Sequence, residues 1–185
     1  TTCSVFAEGF QKTREELVDY PNDMIVAHEL SHHWFGNLVT CESWANITLN
    51  EGFANYAEYL WKEFHEGKQA AEFYQYLELK QYLMASSDYT HPLIDFEYQD
   101  KDAMFDVHSY NKGSLILHML RDYLGDEAFF EGVNHYLKEH AFDSAEAHDL
   151  RLAFEDVSGE DLNWFFNQWF YDKGHPVLEI QYDYA

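Results

Sequence analysis

The sequence is poor in cysteine, proline, glycine and positive charge, and it contains no long apolar run. Its 185 residues include two cysteines, Cys3 and Cys41; these are too few for a disulfide framework and are not spaced as a paired metal site. Three prolines and nine glycines do not supply the punctuation of a fold made of many short strands and tight turns. Eleven Lys and Arg stand against 34 Asp and Glu, a formal charge of −23. Such a surface repels phosphate backbones and anionic headgroups, which excludes nucleic acid and membrane as partners. No stretch approaches the roughly 18–20 apolar residues of a membrane span, and no basic segment followed by an apolar run opens the chain. A soluble chain is expected, and the composition leaves its compartment open.

What is present is apolar and aromatic. Hydrophobic residues make up 46% of the chain, with fifteen Phe, fourteen Tyr and five Trp, enough to build a core in a domain of this length. With so few turn residues, that content predicts a mainly α fold of long packed helices.

The pattern along the chain divides accordingly. Val5 and Phe6, among small residues, suggest a strand within Cys3 to Phe10. Thr13-x-x-Glu16 has the form of a capping box. Asn22 is placed to cap a helix that runs through Met24 to Trp34 and stops near Gly36. A second helix is expected from Thr48 to Phe64, with Phe53, Tyr56, Leu60 and Phe64 at three-and-four spacing and Gly67 as its stop. A third is expected from Lys68 to Ala85, followed by a loop from Ser86 to Asp106 that is longer than a simple connection. Tyr110 to Leu124, Asp126 to His140, Ala145 to Val157 and Asp161 to Tyr171 read as stacked antiparallel helical hairpins. Val177 to Tyr182 alternates like a strand, so short strands are expected at the two chain ends.

Within the first of the longer helices lies His28-Glu29-Leu30-Ser31-His32. Residues four apart share a helix face, so His28 and His32 can aim their imidazoles at one point. Glu29 lies about 100° around the helix from His28, near enough to bond a water on a metal without ligating it, the position of a general base. A catalytic zinc takes three protein ligands and keeps a fourth position for water. Glu51, nineteen residues after His32 in the first turn of the next helix, is the candidate third ligand. Asn55, one turn further on, is the expected hydrogen-bond partner of a ligand imidazole, with Asn50 a weaker choice. His33 points away from the paired face and reads as packing or surface. The remaining histidines lack metal spacing with a third ligand, His108 alone being left open by its nearness to Tyr110. One zinc ion and metal-assisted peptide hydrolysis are the chemistry this set implies.

These residues resemble the aminopeptidase N family of zinc metallopeptidases. The likeness runs through His28 to Thr40, Trp44, Leu49-Asn50-Glu51-Gly52-Phe53-Ala54, Tyr110-Asn111-Lys112-Gly113, Trp169 and Gly174-His175-Pro176. It implies a thermolysin-like catalytic domain acting on peptides with a free amino terminus. It also implies that Tyr110 donates a hydrogen bond to the oxyanion of the tetrahedral intermediate, a role suited to a phenol, and that Asp102 lies near the substrate cleft. Family members carry a Gly-x-Met-Glu-Asn string, whose Glu grips the substrate amine, shortly before the metal helix. No such string occurs here. The expectation is a piece of a larger enzyme, with residues 1–176 as catalytic domain and 177–185 as the start of a following β segment. Two rival readings remain: an endopeptidase of thermolysin type, which shares the metal ligands, and a zinc-binding helical module with little or no turnover.

Overall fold

The computed structural model describes residues 4, 6, 8–19 and 21–183. Helix α1 (Arg14–Asp19) starts as its sequence dictates: the Thr13 N–H donates to Glu16 Oε2 at 2.8 Å and the Glu16 N–H to Thr13 Oγ1 at 3.4 Å, the reciprocal capping box. Asn22 does stand at the N-cap of α2 (Asp23–Ser31), but its side chain donates to Phe10 O at 2.8 Å and caps nothing. Helix α2 is also shorter than its pattern suggests. After Ser31 the bonding changes, with Asn37 N–H reaching His32 O and Leu38 N–H reaching His33 O. These turns feed strand β1 (Val39–Cys41), which pairs in parallel with β2 (Asp143–Ala145). Neither strand was legible, because three residues are too few to display a period of two.

The strands expected at the chain ends are not the ones that form. Cys3 and Val5 lie outside the described residues, and Glu8–Phe10 is a 3-10 turn. Residues 177–183 carry no regular structure, with Val177 93% and Ile180 77% exposed. Alternation supplies a face, but a strand also needs an edge to bond to, and the sheet among the described residues lies elsewhere.

The body of the molecule is helical. Helices α3 (Thr48–Glu66) and α4 (Lys68–Ala85) are joined by Gly67 alone, and α5 (Gly113–Leu124) and α6 (Asp126–Glu139) by Gly125 alone. Both linkers have positive φ, 91° and 82°, which a glycine adopts without steric cost. Helices α7 (Ala147–Ser158) and α8 (Asn163–Trp169) complete the set. Helix α3 is the hub, packing on α2, α4 and α5, while α6 packs on α7 and α5. Leu49, Phe53, Tyr56 and Tyr59 of α3 enter a core shared with Ile116, Leu120, Phe129, Leu150, Phe154 and Phe166. Arg121 clips α5 to the helices around it, donating to Glu63 Oε2 at 2.8 Å and Asp126 Oδ1 at 2.7 Å. No helix of the described residues is long and apolar enough to cross a membrane.

Two features of this packing set the site. Helices α3 and α5 meet at Gly52 and Gly113, where a methyl on Gly52 would stand 3.2 Å from Gly113 Cα and 2.8 Å from Thr48 Oγ1. That hydroxyl donates to Ser109 O at 3.0 Å. The start of α5 is thereby held against the first turn of α3. Ahead of it, the connection from Ser86 is anchored by buried Leu93 and Ile94, and the Ile94 N–H bonds Phe170 O. It ends in a π-helical turn over His108–Lys112, a feature often found at functional sites.

Candidate active site

His28 is buried in α2, His32 forms that helix's C-cap, and Glu51 lies in the buried first turn of α3. Because α2 packs on α3, the three converge. His28 Nε2 stands 3.2 Å and His32 Nε2 3.4 Å from the same oxygen, Glu51 Oε2. The far sides of both rings are fixed: His28 Nδ1 donates to Glu58 Oε1 at 2.8 Å and His32 Nδ1 to Phe35 O at 3.0 Å. With Nδ1 carrying the proton, each ring presents Nε2 to the shared point.

The electrostatics are those of a cation site. Burial disfavours a charged His28, yet hydrogen bonds to Glu51 and Glu58 outweigh it and raise the pKa to about 9; His32 is raised by Glu51 and Phe35 O against the same burial. Burial works against a charged Glu51 too, but hydrogen bonds from the two imidazoles lower it to about 2. Two imidazoles can share one carboxylate oxygen only by carrying protons or by replacing them with a metal ion. Ligands at zinc distance around a tetrahedron stand about 3.3–3.4 Å apart, close to the spacings found. Two nitrogens and a carboxylate also form a donor set zinc accepts. These residues fit that ion.

Two other histidine–carboxylate groups are brought together. His91, Asp106 and His108 cluster with His108 Nδ1 only 2.7 Å from Asp106 Oδ2, the spacing of a hydrogen bond and tighter than a zinc edge. His135, Glu139 and Asp156 lie on the surface of α6 and α7. Cys41 is half-buried, its thiol pushed up to about 11 mainly by burial and its sulfur 3.7 Å from Asn50 Nδ2. Cys3 lies outside the described residues.

The expected partner of the ligand imidazole requires correction. Asn55 does not reach His28; it donates to Glu78 Oε2 at 2.6 Å. The bond belongs to Glu58, seven residues after Glu51 and so two turns along the same face, and Tyr74 Oη steadies Glu58 Oε2 at 2.9 Å. That spacing was the available signal.

Tyr110 stacks on His28, ring centroids 5.9 Å apart and planes 10° from parallel. Burial first, then the carboxylates of Glu51 and Glu29, push its phenol up, so it stays a hydrogen-bond donor. A cavity of about 300 Å³ opens beside it, lined by Asn55, Glu58, Glu78, Asp106 and Asn111 among others. Glu29 lies half-buried on α2. His33 turns away from the metal face, its Nε2 3.2 Å from Ser4 Oγ. Asp102 is on the outside, its side chain 75% exposed beside Lys101.

The chain is similar to known proteins over most of its length. Residues 11–169 match the model of the peptidase family M1 domain. The chain is 39% identical over 162 residues to Aminopeptidase M1 of Arabidopsis thaliana, covering 85% of this chain and 18% of that protein. It is 39% identical over 164 residues to Tricorn protease-interacting factor F2 of Thermoplasma volcanium, covering 85% and 21%. The chain thus spans about a fifth of the length of these curated relatives. An alanine mutant of the M1 zinc metallopeptidase from Deinococcus radiodurans, bound to a Tyr-Ser-Ala substrate, superposes with TM-score 0.72 at 29% identity, over 86% of this chain and 35% of that one. Native yeast LTA4 hydrolase superposes with TM-score 0.76 at 27% identity, over 88% and 28%. By sequence and by fold, the chain belongs to peptidase family M1, the aminopeptidase N family.

Proposed function

We propose that this chain carries the catalytic machinery of a zinc aminopeptidase, with residues 1–176 as a thermolysin-like catalytic domain and peptides bearing a free amino terminus as substrates. The observation that carries the proposal is the convergence of His28 Nε2 and His32 Nε2 on Glu51 Oε2, with Glu58 and Phe35 O holding each ring in the ligating tautomer. His28, His32 and Glu51 would hold one zinc ion, which would supply Lewis acidity for polarising a scissile carbonyl and lowering the pKa of a water. Glu29, next to His28 on the same helix, takes the proton from the attacking water and delivers it to the departing amine. Tyr110 donates its phenolic hydrogen to the oxygen that becomes negative in the tetrahedral intermediate, where a preorganised donor is worth most. The stacking of its ring on that of His28 supports this role.

The names of its relatives favour removal of amino-terminal residues: the protein matched in Arabidopsis thaliana is an aminopeptidase, and a neighbouring structure holds a tripeptide. The test is mass spectrometry of the products from zinc-loaded protein given one peptide with a free amino terminus and its acetylated twin. Stepwise loss of residues from the free peptide alone is expected. Internal cleavage of both would turn the assignment to a thermolysin-type endopeptidase. No cleavage with zinc bound would leave a metal-binding domain without turnover.

A further inference from the structure

The cluster formed by His91, Asp106 and His108 lies outside the machinery described above, yet Asp106 at its centre bonds the turn that carries Tyr110. Asp106 Oδ1 accepts from the backbone N–H of His108 at 2.9 Å and of Ser109 at 3.3 Å. Its Oδ2 accepts from His108 Nδ1 at 2.7 Å and from His91 Nε2 at 3.1 Å, and its carbonyl accepts the Tyr110 N–H at 3.1 Å. One residue therefore satisfies three successive backbone donors at the mouth of the turn, where orphan N–H groups otherwise go unpaired. His91 is itself fixed, since its Nδ1 donates to Pro92 O at 2.6 Å. Donating from both nitrogens makes His91 an imidazolium, paired with the Asp106 carboxylate. Its ring packs on His108, centroids 4.1 Å apart. His91 and His108 are 4% and 1% exposed, while the Asp106 side chain, 27% exposed, borders the cavity beside Tyr110.

We propose that Asp106, tethered to the long loop through His91, is a positioning residue that sets where the Tyr110 phenol stands relative to the metal ligands. The proposal rests on the reading of Tyr110 as the oxyanion donor. The tether at Thr48 and Gly113 fixes Tyr110 from the α3 side, and the Asp106 clamp fixes it from the loop side. Losing the clamp lets the turn relax by a fraction of an ångström, which costs the chemical step and spares substrate binding.

The experiment is a double-mutant cycle in the zinc-loaded chain with Asp106→Asn, Tyr110→Phe and the pair, each checked for zinc content. Asp106→Asn is expected to lower kcat by roughly tenfold to a hundredfold with KM nearly unchanged, and to add nothing in the Tyr110→Phe background. His91→Leu should give part of that loss and His91→Gln, whose amide keeps a donor for Asp106, should restore it. Independently of turnover, the Tyr110 ring resonances, identified by their loss in Tyr110→Phe, should shift in Asp106→Asn while those of buried Tyr59 and Tyr136 stay in place. Additive effects in the cycle, or an unmoved Tyr110 resonance, overturn the inference. A Tyr110→Phe variant with full kcat overturns instead the role given to Tyr110, and the resonance shift then still decides whether Asp106 places the ring.

Discussion

At the scale of single residues, the proposed site separates the carboxylate that would hold a metal, Glu51, from the one that would move a proton, Glu29. Glu51 faces both imidazoles, Glu58 braces the back of His28, and Glu29 touches neither ring in a hydrogen bond among the described contacts. Two substitutions should therefore fail in different ways. Glu29→Gln removes the base, so kcat should fall by about 10²–10⁴-fold with zinc affinity retained. Glu58→Gln leaves the base but no longer offers His28 Nδ1–H a charged acceptor, so zinc affinity should fall by about 10–100-fold. Competition with a metallochromic chelator measures the second effect and steady-state kinetics at saturating zinc the first. If Glu29→Gln loses zinc, it is a ligand and the division of labour is wrong. The residues that cluster were legible because helical spacing alone sets His28 beside His32 and puts Glu51 in a first turn. Asn55 stands one turn and Glu58 two turns from Glu51, and spacing along a helix face does not say which of them reaches the ring.

At the scale of elements, the tolerance of the site is set where α3 crosses α5. The motif glycine Gly113 is needed because a methyl there would overlap Thr48 Oγ1 and stand 3.0 Å from Gly52 Cα. The helices would have to part, carrying Tyr110 away from His28. Gly113→Ala should cost about 1–3 kcal/mol, typical of overpacking, and lower Tm by roughly 2–4 °C for each of those kcal/mol. Gly9→Ala, whose added methyl meets nothing within 4 Å, is the control and should leave Tm within a degree or so. Equal Tm values for the two would mean that the crossing yields freely. Helices α3, α5, α6 and α7 were readable in sequence because their apolar residues recur on one face; the bounds expected for α4, Lys68 and Ala85, are those found although its apolar residues are spread around it. The π-helical turn and the two short strands left no periodic trace. Val177 to Tyr182 has the trace but pairs with no edge among the described residues.

At the scale of the whole molecule, a chain of charge −23 gathers two raised imidazoles around one lowered carboxylate, and this links its stability to pH and to zinc. The unperturbed His pKa is 6.5, and that of His28 in the folded, metal-free chain is about 9. Folding therefore binds a proton more tightly at His28, and the stability it contributes is full below pH 6.5 and lost as pH rises through 9. Glu51, lowered from 4.5 to about 2, acts oppositely, contributing above pH 4.5 and failing only as pH falls toward 2. Metal-free protein should thus lose Tm between pH 6.5 and 9. Zinc bound at the proposed ligands would replace those imidazole protons, so its apparent affinity should rise over the same interval, since ligands must be deprotonated to bind. At a fixed, buffered free zinc concentration, the difference in Tm between zinc-loaded and metal-free protein should widen from pH 6.5 to 9 and level off beyond, following RT ln(1 + [L]/Kd). Taking the difference cancels the titration of the many surface carboxylates, which is common to both states. A zinc-induced rise in Tm independent of pH would mean that the metal displaces no proton from His28 or His32, and the centre would have to be sought at other ligands.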